Sequence, residues 1–99
     1  MTITSLKQTW DSRVADPAHK AAGNELVFVQ AGDFFETFDE HAKIAARVLG
    51  LALTSRGGLA MAGFPFHHSS AYAAKLVSEG YRACLIGDDV ASLMPSNVG

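Results

Sequence analysis

The segment Leu26-Val27-Phe28-Val29-Gln30 constrains the fold more than any other stretch of this chain. It is short, apolar and rich in β-branched residues, and it lacks the three-to-four spacing of a helix face. It reads as a buried strand. A buried strand has to be covered, so the surrounding sequence must supply other strands beside it and helices to pack on it.

Those elements are legible on both sides. Ile3, Leu6, Trp10 and Val14 recur at helical spacing and predict a first amphipathic helix. A polar connection bounded by Pro17 and Gly23 leads to the strand. After it, Gly32-Asp33 predicts a turn into a second helix, with Asp33 as N-cap and Glu36 completing a capping-box spacing. Phe35, Phe38, Ala42, Ala45 and Leu49 form its stripe, and Gly50 is its stop. Segments 51–55 and 59–63 read as two strands around a Gly57-Gly58 turn. Phe64 to His68 reads as extended, because Pro65 disfavours helical geometry before it. Ser69 or Ser70 caps a third helix running through Glu79, with Tyr72, Leu76 and Val77 inward and Gly80 at its end. Residues 81–86 form the last strand, and the tail reads as frayed. Helix, strand, helix, two strands, helix, strand: this order predicts an α/β domain, a mixed β-sheet flanked by helices, spanning residues 1–99 with its core over 26–86.

At 99 residues and 48% hydrophobic content, the chain can bury a core without disulfides. Its one cysteine, Cys84, lies in an apolar stretch where a buried thiol is expected, not a nucleophile. We read no secretion signal at the N-terminus and no membrane span, which fits a cytoplasmic setting. The formal net charge of -2 counts against strong nucleic-acid binding by this chain alone. The densest charge is acidic: Asp33, Glu36, Asp39 and Glu40. His67-His68 are not spaced as metal ligands with any other Cys or His, and we expect no cofactor. No acid–base pair or nucleophile arrangement points to an enzyme. From the residues alone Glu36 reads as a helix cap, and Phe34 is ambiguous between core and surface contact.

Four ordered motifs bear on that ambiguity: Gly32 to Phe38 (GDFFETF), Ala52 to Gly57 (ALTSRG), Met61 to His68 (MAGFPFHH) and Tyr72 to Ile86. Together they resemble the N-terminal, mismatch-recognition domain I of the DNA mismatch-repair MutS family over residues 26–86, about three fifths of the chain. The resemblance implies that Phe34 is wedged beside a mispaired or unpaired base from the minor groove and that Glu36 hydrogen-bonds that base. Phe35 and Asp33 would support them, and His67 would be packed and hydrogen-bonded behind the site. Arg56 is a candidate phosphate contact, with Lys75 and Arg82 weaker ones. The implied partner is double-stranded DNA with a mismatch or unpaired base.

The sequence departs from the family in ways that matter. It has no phosphate-binding Gly-x-x-x-x-Gly-Lys-Ser/Thr loop, so ATP-driven signalling is not expected from it. Gln30 and Ala31 stand where the family often has a basic residue and a methionine. These features predict weak binding alone and a protein partner or fused module, as a free-standing domain or a fragment. The rival expectation is a protein-interaction module that kept the fold and lost DNA binding, favoured by the acidic segment 33–40.

Overall fold

The computed structural model describes residues 2–87. Strand β1 (Glu25–Ala31) lies inside a five-stranded sheet of order β3-β4-β2-β1-β5, where β2 is Phe34–Phe38, β3 Thr54–Arg56, β4 Leu59–Pro65 and β5 Arg82–Ile86. β1 pairs parallel with β5, and every other pairing is antiparallel, so the sheet is mixed. The helices are α1 (Ile3–Ala15), α2 (Pro17–Ala21), α3 (Asp39–Leu49) and α4 (Ser69–Ser78).

Successive residues of β1 enter different cores, as the pleat requires. Leu26 and Phe28 pack with Phe35, Phe64, Ala45, Leu49 and Leu76, under α3 and α4. Val27 and Val29 pack with Phe38, Met61, Leu6 and Trp10, under α1. Trp10 is fixed there by its indole N–H, which donates to the Val27 carbonyl at 2.9 Å and to Thr37 Oγ1 at 3.2 Å. The polar side of α1 is anchored by Arg13, whose guanidinium donates two bonds to the buried Glu25 carboxylate at 2.9 and 2.7 Å; His19 lies 2.8 Å from the same group.

The structure corrects the local reading at several points. Residues 34–38 are a strand, not the first turn of a helix. The segment is rich in aromatic and β-branched residues that favour a pleated surface, and it is paired on both sides, with β1 and β4. Gly32, at φ 61, turns the β1–β2 hairpin. Asp33 therefore caps no helix and Glu36 completes no capping box. α3 starts only at Asp39, whose φ of 52 swings the chain out of β2 and whose carboxylate lies 3.2 Å from Lys7 Nζ. Phe35 and Phe38 are both buried, but on opposite faces of the sheet rather than on one helical stripe. The polar connection holds α2, begun by Pro17 and capped by Asp16, whose carboxylate accepts the Ala18 N–H at 2.8 Å. Residues 51–53 lie outside the strand expected there. Phe66–His68 coil into a short 3₁₀ turn, and neither Ser69 nor Ser70 caps α4: its N-cap is His68, with no side-chain bond. Val77 is 63% exposed rather than inward. Cys84 is half-buried, and burial pushes its thiol pKa up. The tail, expected to be frayed, lies outside the described residues.

Candidate nucleic-acid interface

Alternation along β2 decides what each of its side chains faces. Phe35 is fully buried against Phe64. Its neighbours in sequence, Phe34 and Glu36, point to the other side of the sheet, the side on which α1 covers β1 and the adjoining part of β2. At this end of β2 that cover is incomplete. Phe34 is 43% exposed, a large ring at the surface beside the hairpin turn. Glu36, two residues on, is half-buried.

The two side chains share a cleft of about 220 Å³ lined by Phe34, Glu36, Ala52, Thr54, Ala62 and Gly63. The cleft exists because β4 carries a glycine directly opposite Glu36. Gly63 has ordinary strand geometry, so its role is not conformational freedom. A Cβ there would come within 2.6 Å of the Phe35 carbonyl oxygen and 2.7 Å of Glu36 Cδ, closer than folded proteins tolerate. The Glu36 carboxylate lies over the space that the missing side chain leaves.

Burial raises the Glu36 carboxyl above its ordinary pKa, and the Arg56 guanidinium on β3 pulls it back. Among the described residues the carboxylate has no hydrogen-bond donor and no ion-pair partner within 4 Å. It is thus a hydrogen-bonding group held in a fixed place with its capacity unspent. Ionised, it only accepts; protonated, it also donates.

The remaining predicted site residues take distinct places. Arg56 sits on the edge strand, opposite Leu59 of β4, near enough to influence Glu36. Asp33 lies in the hairpin turn, and its carbonyl accepts the Phe66 N–H at 2.8 Å, which ties the end of β4 to the turn before Phe34. His67 is not packed behind the site. It is exposed, and its ring meets only the neighbouring rings of Phe66 and His68 among the described residues. Lys75 and Arg82 are exposed, on α4 and β5, away from the cleft. The residue that sequence reasoning undervalued is Gly63. A glycine inside an apolar strand is the signal that another group approaches closely. Ala52 and Thr54, which wall the cleft, gave no such signal.

This is a mixed α/β domain that presents an exposed ring and a half-buried carboxyl, without a hydrogen-bond partner among the described residues, from one strand over an open cleft. Comparison with known proteins gives it a family. The family model "MutS domain I" matches residues 17–92, and the chain belongs to that family. Among curated relatives, the DNA mismatch repair protein MutS of Rhodopirellula baltica is 47% identical over 73 residues, which cover 69% of this chain and 8% of that protein. The MutS proteins of Protochlamydia amoebophila (42% over 66 residues, 67% of this chain and 8% of the relative) and Halothermothrix orenii (48% over 65 residues, 61% and 7%) are similar to it in the same way. The chain thus matches less than a tenth of the length of these relatives.

Proposed function

We propose that this domain serves DNA mismatch repair by recognising mispaired or unpaired positions in double-stranded DNA, with Phe34 as an inserted wedge and Glu36 as the contact to the displaced base. The observation that carries the reading is the pairing on one strand face of an exposed Phe34 with a Glu36 that has no hydrogen-bond partner among the described residues, with Phe35 buried on the opposite face and room given by Gly63. An apolar wedge must unstack a base step, at a cost of a few kcal/mol in a regular duplex. A mismatched step is already weakly stacked, so the same insertion costs less there. Preference for a defect then follows from deformability, without reading sequence. Glu36 sharpens it. A carboxylate near phosphates is repelled from regular DNA and is tolerated where a base edge offers it a hydrogen bond.

The domain performs no catalysis in this reading, and its core is residues 26–86. Arg56 is a phosphate contact that also moderates the charge of Glu36. With so few cations at the site, binding alone is weak, and a partner or fused module supplies the remaining grip. In this reading the domain works in the cytoplasm. Among the described residues no helix is long and apolar enough to cross a membrane.

The rival reading, a protein-interaction module, leaned on the acidic segment 33–40. That support is thinner in three dimensions. Asp39 is 3.2 Å from Lys7 and Glu40 is 3.1 Å from Lys43, so two of the four acids are spent on ion pairs within the fold. Fluorescence anisotropy at low salt separates the two readings. Labelled duplexes with a G·T pair, an unpaired T or no defect are titrated with the protein and with Phe34→Ala. Tighter binding to the defects, lost in the folded variant, supports the wedge. Equal or absent binding to all three favours the rival.

A further inference from the structure

Three exposed rings follow one another immediately beside the wedge, and neither core uses them. Phe66, His67 and His68 are all exposed, Phe66 by 38%, and none belongs to either hydrophobic cluster. They stack edge to face in series, Phe66 to His67 at 5.0 Å and His67 to His68 at 5.4 Å. Their position is fixed relative to Phe34 from two directions. Pro65, which starts the turn, is the cross-strand partner of Phe34. The Phe66 N–H donates to the Asp33 carbonyl at 2.8 Å, across to the residue before the wedge.

The geometry points to the Phe66–His68 turn as a second DNA contact, laid against the sugar–phosphate backbone beside the step into which Phe34 is inserted. The inference rests on the wedge reading and extends it to a strip of surface that the wedge does not need. Adjacent strands lie about 4.8 Å apart and consecutive Cα atoms 3.8 Å, so His67 and His68, two and three residues beyond Pro65, start at most roughly 12 and 16 Å from the wedge backbone. A minor groove is about 6 Å wide, so a ring inserted from it leaves its neighbours within reach of a phosphate wall. Phe66 offers an apolar face to a deoxyribose. The imidazoles offer N–H donors to phosphate oxygens. This also supplies what the site lacks. Asp33 and Glu36 are acidic, and Arg56 stands on the far side of β4 from β2. The other charged or titratable groups on segments adjoining the turn are Asp33 in the hairpin and Tyr72 and Lys75 on α4.

The test uses the same protein with fluorescein-labelled duplexes carrying a G·T pair or none, titrated at several salt concentrations. The double variant His67→Gln, His68→Gln is compared with Phe66→Ser and Phe34→Ala, each checked for folding by circular dichroism. The histidine variant is expected to bind both duplexes about 5–10-fold more weakly, with their affinity ratio unchanged. Its salt dependence should be shallower by roughly one to two phosphate contacts. Phe66→Ser is expected to weaken both duplexes with the salt slope kept. If the histidine variant keeps wild-type affinity and slope while Phe34→Ala loses the G·T preference, the wedge stands and the second contact is overturned. If the unaltered protein binds neither duplex, the wedge reading falls and takes this inference with it.

Discussion

Gly63→Ala is a sharp test of how the site is built, because it adds one methyl group at a known place. The new Cβ would meet the Phe35 carbonyl oxygen at 2.6 Å and Glu36 Cδ at 2.7 Å. The Glu36 side chain can swing away. The Phe35 carbonyl cannot, because β2 is held between β1 and β4. Forcing one methyl into such a contact costs about 1–3 kcal/mol. For a domain of this size the urea m-value is roughly 1–2 kcal/mol per M, so the unfolding midpoint should fall by roughly 1–2 M at constant m. Gly32→Ala is the control. It faces open space but sits at φ 61, so it costs about 1 kcal/mol through the backbone alone and leaves Glu36 in place. Urea unfolding followed by Trp10 fluorescence, with anisotropy on G·T and matched duplexes, reads both effects. Gly63→Ala should lose stability and the G·T preference together, whereas Gly32→Ala should lose stability and keep the preference. A Gly63→Ala protein with the wild-type midpoint and wild-type preference would refute the claim that this glycine makes room for Glu36.

Other outcomes follow from the same geometry. Trp10→Phe keeps most of the ring but strands the Val27 carbonyl and the Thr37 hydroxyl, so thermal or urea unfolding should show a loss of about 1–3 kcal/mol. His41 accepts the Val27 N–H at 3.1 Å through Nδ1 and packs against Trp10, and burial depresses its pKa from 6.5 to about 4. The native state thus excludes a proton that the unfolded chain takes up. Stability is full above pH 6.5 and falls between 6.5 and about 4, by at most about 3 kcal/mol. Glu25 has the opposite charge and the same consequence. Burial works against its ionised form, but bonds from Arg13 and His19 hold its pKa below 4.5, so its contribution is lost as pH falls further. Denaturation midpoints measured from pH 8 down to about pH 2 check both, and His41→Gln should flatten the upper part of the profile. Glu36→Gln removes a charge that phosphates repel, worth about 1 kcal/mol near the surface. Matched duplex should therefore bind roughly 5-fold tighter, and discrimination measured by anisotropy should narrow.

Much of this molecule was legible in its sequence, and the misreadings have a common cause. β1 and β4 are visible because their apolar runs are short and bounded by turn residues. α1 is visible because Leu6 and Trp10 repeat at helical spacing toward one core. Residues 34–38 mislead because Phe35, Phe38, Ala42, Ala45 and Leu49 satisfy a helical stripe as well as they satisfy a strand followed by a helix. Asp33 and Glu36 then imitate a helix start. Only pairing with both β1 and β4, which no local pattern reports, settles the choice. The strand assignment also resolves Phe34 and Phe35. A helix start blurs their directions, and a pleat opposes them, leaving one ring at 0% and the other at 43% exposure. α2 was readable from Asp16-Pro17, an N-cap followed by proline at the first helical position. The Arg13–Glu25–His19 cluster was not, because its members come from three different elements.

The most direct measurement of the central claim watches the base stack itself. A duplex carrying 2-aminopurine beside a G·T pair brightens when that base is unstacked. The wedge account predicts a rise in fluorescence on saturation with the protein, none with a folded Phe34→Ala variant, and little with a fully paired duplex. Saturable binding to the G·T duplex with no change in 2-aminopurine emission, or an equal change with Phe34→Ala, would contradict it.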